Sequence, residues 1–187
     1  MKQATLSLLF GLFFFAFHAI AQSPTVFMEV EGNTQGNITR VAGTADSAGS
    51  LWVEDREDES LVFAMEFTSQ FDLAPSTGAI TGDALPCVLK IKKIVDAASP
   101  RLFQALASKE DVEVTLNYYR TNSSDVQENY YQVKFKNAKV AAFRMLSQET
   151  PLTVGANEAR DFEEVTFTYT RIELTHFIAG TSAVYDY

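Results

Sequence analysis

The chain has 187 residues, with 24 acidic against 15 basic side chains and a net charge of −9, a balance that argues against a nucleic-acid backbone or an anionic membrane surface as partner. Its single cysteine, Cys87, excludes an internal disulfide, and two histidines leave no Cys/His cluster of the kind zinc requires.

Residues 1–21, MKQATLSLLFGLFFFAFHAIA, read as a secretory signal peptide. Lys2 supplies the positive start, residues 6–17 are almost wholly apolar, and Ala19-Ile20-Ala21 is a small-x-small cleavage pattern that places Gln22 first in the mature chain. A membrane-spanning helix needs about 20 apolar residues, so no stable membrane insertion is expected. No cysteine follows Ala21 to take a lipid anchor. Residues 22–187 are long enough for one domain with a proper core, and cleavage makes the net charge one unit more negative because only Lys2 is lost.

Beyond the leader, period-2 alternation dominates. Strands are predicted over 25–30, 51–54, 61–72, 86–95, 112–121, 129–144 and 163–177, with turn clusters at 31–37, 74–83 and 121–125. One helix is written among them, in KKIVDAASPRLFQALAS, where Ser99 is the predicted N-cap and Pro100 the first helical residue. The spacing predicts a turn and a half to two turns, with Leu102, Phe103 and Leu106 covering the core. Two strands change parity along their length. Tyr131, Val133 and Phe135 give way to Ala138, Val140 and Ala142, and Val165, Phe167 and Tyr169 to Ile172 and Leu174. Each flip signals a bulge or a strand passing between sheets, which favours a barrel or an orthogonal sandwich over an open sheet.

Chemistry is sparse. The charge run EDREDES, residues 54–60, holds enough carboxylates for calcium but lacks the ligand order and mid-loop glycine of an EF-hand, and reads better as a solvated turn. Cys87 sits beside Val88, Leu89 and Ile91 as a small hydrophobe, and His176, the only histidine outside the leader, reads as structural. No nucleophile elbow, phosphate loop or zinc helix is present, so no catalytic, cofactor or metal site is predicted. The sequons at Asn37 and Asn122 are uninformative. Trp52, Tyr118, Tyr119, Tyr130 and Tyr131 leave open a second reading, a secreted β-sandwich module that stacks on carbohydrate or another small ligand.

Taken in order, the segments resemble the Hcp family, the tube protein of bacterial type VI secretion. TVFMEVEGNTQGN is similar to the family's opening strand and glycine turn, and LVFAMEFTSQFDLAPSTGAITGD to its long strand and flexible segment. LKIKKIVDAASPRLFQALAS resembles its K-x-x-D-x-x-[ST]-P-x-L strand-to-helix junction, here with Asp96, Ser99, Pro100, Leu102 and Phe103. VEVTLNYY, YYQVKFKNAKVAAF and EEVTFTYTRIEL resemble the remaining strands. The resemblance implies an all-β fold, a β-barrel of two packed, mainly antiparallel sheets with one short α-helix. It further implies a non-enzymatic protein whose partners are itself, as a hexameric ring, and secreted effectors or spike and sheath components. With its leader the chain is expected to be an exported bacterial member, secreted or periplasmic. Phe71, Leu73, Ile80 and Leu85 fall in the segment that resembles the family's reach towards neighbouring subunits, which makes them the expected interface.

Overall fold

The computed structural model describes residues 25–85, 88–146 and 161–187, with the side chains of 70–72 and 83–85 left aside. The expected cleavage site at Ala19, Ala21 and Gln22 and the thiol of Cys87 lie outside the described residues.

Among the described residues eleven strands and two short α-helices follow in order: β1 Thr25–Gly32, β2 Gly36–Asn37, α1 Ala45–Ala48, β3 Ser60–Glu66, β4 Gln70–Leu73, β5 Ile80–Leu85, β6 Leu89–Ile94, α2 Ser99–Ser108, β7 Asp111–Thr121, β8 Gln127–Leu146, β9 Phe162–Thr168, β10 Arg171–His176 and β11 Thr181–Asp186. Antiparallel pairing runs β8-β7-β1-β3-β6-β9, and β9 pairs with β8 again, so six strands close a barrel. The core fills its interior with the inward residues of the six barrel strands, among them Met28, Val30, Ile91, Leu116, Phe135 and Phe167. Full closure removes the edges that an open sheet would expose.

Both parity flips are real, and they are one feature. Val112 faces Ala138 while Val114 faces Phe135, so Lys136 and Asn137 of β8 stand together against Glu113 of β7. Asn137 takes the left-handed backbone of a bulge, φ 50°. On the other edge of β8, β9 ends with Thr168 opposite Lys139 and β10 resumes with Arg171 opposite Lys136. The two breaks are joined by Asn137 Nδ2, which donates to Thr170 Oγ1 at 3.1 Å. At this corner β9 turns away to close the barrel on β6, while β10 and β11 continue as a flange on the outer part of β8.

Several predicted boundaries shift. Residues 51–54 are not a strand: Gly49–Leu51 form a 3-10 turn and Asp55 has φ 64°. The run 61–72 breaks after Glu66, and the predicted turn 74–83 contains the start of β5. β11 carries no prediction.

The helix α2 is ten residues, longer than expected, and packs on β8. Leu102 and Ala105 are fully buried and Leu106 partly, but Phe103 is 56% exposed and meets only the edge of the Phe143 ring among described aromatics. The correction is geometric: 102, 105 and 106 share one helical face, and 103 lies about 100° away from Leu102. Phe103→Asp is therefore expected to change stability by about 1 kcal/mol or less, whereas Leu102→Ala costs about 2–5 kcal/mol. Thermal melts of the two variants check the ordering.

Candidate functional site

The strand-to-helix junction is organised by a residue that alternation points inward. Leu89, Ile91 and Lys93 share the interior face of β6, and the Lys93 side chain is 0% exposed. Its ammonium donates to Asp96 Oδ1 at 2.7 Å, to Glu163 Oε1 at 2.8 Å and to the Ile94 carbonyl at 2.8 Å. Lys93 and Glu163 are direct cross-strand partners in β6 and β9, so one ion cluster ties the last strand pair of the barrel to the start of α2. Asp96 Oδ1 also accepts from the Ala98 N–H at 2.9 Å, and Ser99 Oγ accepts from the Asp96 N–H at 3.0 Å. Ser99 is thus not the N-cap. It is the first residue of α2, Ala98 stands at the cap position without a side-chain bond, and Asp96 supplies the local acceptor. Pro100 sits in the first turn, where its missing N–H is harmless. Glu163 Oε2 has no hydrogen-bond partner. Burial pushes the Glu163 carboxyl above its ordinary range, Lys93 and Ser99 offset this only in part, and Asp96 adds to the rise.

The charge run 54–60 also acquires a place. The Arg56 guanidinium lies over the Tyr119 ring, 3.8 Å from its centroid, and Glu59 Oε1 accepts from Asn117 Nδ2 at 2.8 Å. Asp58 Oδ1 accepts from the Val41 N–H at 2.9 Å. These contacts strap the segment across the outer face of β7, where Thr115, Asn117 and Tyr119 are buried rather than wet. Two of the acidic groups that suggested calcium, Asp58 and Glu59, serve protein donors here, and among the described residues no group of three His, Cys, Asp or Glu side chains is placed to hold a metal.

The predicted interface falls on a hairpin. Among the described residues β4 and β5 pair only with each other, as a two-stranded sheet separate from the barrel sheet. Phe71 is registered opposite Ala84 and Gln70 opposite Leu85. Leu73 and Ile80 face each other across the hairpin, 59% and 63% exposed. The tyrosines of the sugar-binding reading pack on one another: Tyr118 meets Tyr130 and Tyr131 edge-on at 6.4 and 5.4 Å, and both contact His176 at 5.9 Å. Tyr119 lies beneath Arg56. His176 Nδ1 accepts from the Ala179 N–H at 3.1 Å, bracing the turn between β10 and β11. Asn122 Oδ1 caps its own turn through the Ser124 and Val126 N–H groups. No helix among the described residues is long and apolar enough to cross a membrane.

A barrel closed at a bulged corner, with one helix leaving β6 through a K-x-x-D-x-x-S-P junction, is matched by the family model described as type VI secretion system effector, Hcp, over residues 27–176. The chain belongs to the Hcp family. It is 33% identical over 164 residues to the major exported protein of Pseudomonas aeruginosa, spanning 86% of this chain and 94% of that one. A crystal structure of an Hcp protein shares the fold with a TM-score of 0.80 at 23% identity, covering 89% of this chain and all of the other. Secreted protein Hcp3 from Pseudomonas aeruginosa gives a TM-score of 0.68 at 29% identity, covering 88% and 99%. Lys93 is the lysine of the K-x-x-D-x-x-S-P motif in this Hcp-family chain, but neither it nor Glu163 was given a role from the sequence. Both occupy inward positions of their strands, and a charge at an inward position was the available signal.

Proposed function

We propose that this chain is an exported, non-enzymatic tube protein of the type VI secretion class that closes into six-membered rings and holds effector proteins. The observation that carries the reading is the β4–β5 hairpin. A two-stranded hairpin is at best marginally stable alone in water, and this one pairs with no other strand among the described residues while presenting Leu73 and Ile80 to solvent. A second copy seated against it would cover both side chains and order the hairpin. Family membership and the exported relative support the same assignment. The reading includes residues 1–21 as a cleaved leader, on the pattern around Lys2 and Ala19-Ile20-Ala21, so that the exported product starts at Gln22.

Native mass measurement of the purified protein tests the assembly. Six copies are expected, and Leu73→Asp/Ile80→Asp is expected to shift the population to monomer with its barrel circular dichroism intact. A wild-type protein that stays monomeric across micromolar concentrations overturns the ring.

A further inference from the structure

Three ionisable groups share one sealed site at the seam where β9 closes the barrel on β6. Lys93, from β6, is the only cation in the cluster, and it serves two carboxylates, Asp96 from the strand-to-helix loop and Glu163 from β9. With all three ionised the site carries one net negative charge, and both carboxylate side chains are as good as sealed, at 1% and 0% exposure. The acceptors are not equivalent. Asp96 has both the Lys93 ammonium and the Ala98 N–H on Oδ1. Glu163 has Lys93 on Oε1, while Oε2 is buried without a partner. The remaining group that faces Glu163 is the Ser99 hydroxyl of α2, and its neighbour on β8 is Met145, which carries no charge. A buried carboxylate oxygen that lacks a hydrogen-bond partner is a costly place for a negative charge, and the nearby Ser99 hydroxyl offsets that cost only in part.

We infer that the barrel seam is a proton-sensitive latch: Glu163 takes up a proton inside the folded barrel, neutralising the Lys93–Asp96–Glu163 cluster, and losing that proton loosens the β6–β9 seam and the start of α2. The direction follows from linkage. A carboxyl held above its ordinary range binds the proton more tightly in the folded state than in the unfolded chain. The contribution of Glu163 to stability is therefore greatest on the acid side, and it falls as pH rises from the ordinary glutamate value of 4.5 through the higher folded value. Most carboxylates that are paired in folded proteins give the opposite slope. The proton goes to Oε2, because Oε1 is already engaged by Lys93.

Urea unfolding of the purified protein and of Glu163→Gln, followed from pH 4.5 to pH 9, reads the latch. The amide keeps the size and an acceptor for Lys93 but cannot ionise. The wild-type midpoint is expected to drop as pH rises relative to that of Glu163→Gln, and parallel curves overturn the inference. Carbon-13 NMR of the glutamate carboxyls in the wild-type protein gives a second readout that does not depend on the variant folding. The Glu163 signal is expected to titrate above the ordinary glutamate value, and to move back down in Asp96→Asn. Titration at or below the ordinary value overturns the inference.

Discussion

Lys93→Met is expected to destabilise the protein by about 3–5 kcal/mol, because removing one partner of a buried ion cluster leaves the other charges without compensation. For a domain of this size that corresponds to a melting temperature lower by roughly 10 °C. The methionine fits the apolar face of β6, so the loss does not come from a cavity. It comes from Asp96 and Glu163, two carboxylates that would then face each other in a site closed to water. The double variant Lys93→Met/Glu163→Leu is expected to regain part of the loss, since replacing buried ions with packed apolar groups is often neutral or better, and Asp96 keeps its bond from the Ala98 N–H. The loss in the single variant should also grow with pH, because acid neutralises Glu163 in both the variant and the wild type. Melting curves at two pH values give all three comparisons. A Lys93→Met protein as stable as wild type would show that the cluster contributes packing and no charge balance.

What was legible in the sequence tracks where one face of an element is buried. β7 and β8 have an interior face against which each residue must choose, so their alternation and the parity flips at Asn137 and Thr170 were readable; the flips narrowed the fold to a barrel or an orthogonal sandwich, and the resemblance pointed to the barrel. β11 has all six residues exposed, so nothing imposes a period of two on TSAVYD. β5 begins inside a Gly- and Asp-bearing stretch that local rules assign to a turn, yet Ile80 pairs with Leu73. LWVE at 51–54 has the composition of a strand but no neighbour to pair with, and tertiary context overrode propensity. The junction was half legible. Ser99 and Pro100 stood out by helix-start chemistry, although Ser99 opens the helix and does not cap it, and Asp96 stood out through the junction motif of the family; that Lys93 and Glu163, 70 residues apart, meet is set by the β6–β9 pairing, which no local pattern encodes.

Gly43→Ala is expected to lift the strap formed by residues 54–59 off the barrel and to lower stability by about 3 kcal/mol. A Cβ at this position would stand 2.0 Å from the Arg56 carbonyl oxygen and 2.7 Å from that of Glu59. Both are backbone atoms, so no rotamer change relieves the clash and the segment itself must move. It is held at this distance by the Gly43 N–H, which donates to the Glu57 carbonyl at 2.9 Å. Moving it breaks the Arg56 stack on Tyr119 and the Glu59 bond to Asn117, and returns water to Phe27, Asn117 and Tyr119, which are now buried. Tryptic cleavage after Arg56 should accelerate in the variant along with the drop in urea midpoint. Gly78→Ala is the control: its Cβ would meet nothing within 4 Å, so it tests only the left-handed backbone at φ 66° and is expected to cost about 1 kcal/mol. Unchanged cleavage and stability in Gly43→Ala would mean that the strap is not seated on β7. If the acidic run served a metal instead of the barrel, calcium would protect Arg56 from trypsin in both proteins. The Asn117, Val41 and Tyr119 contacts predict that it protects neither.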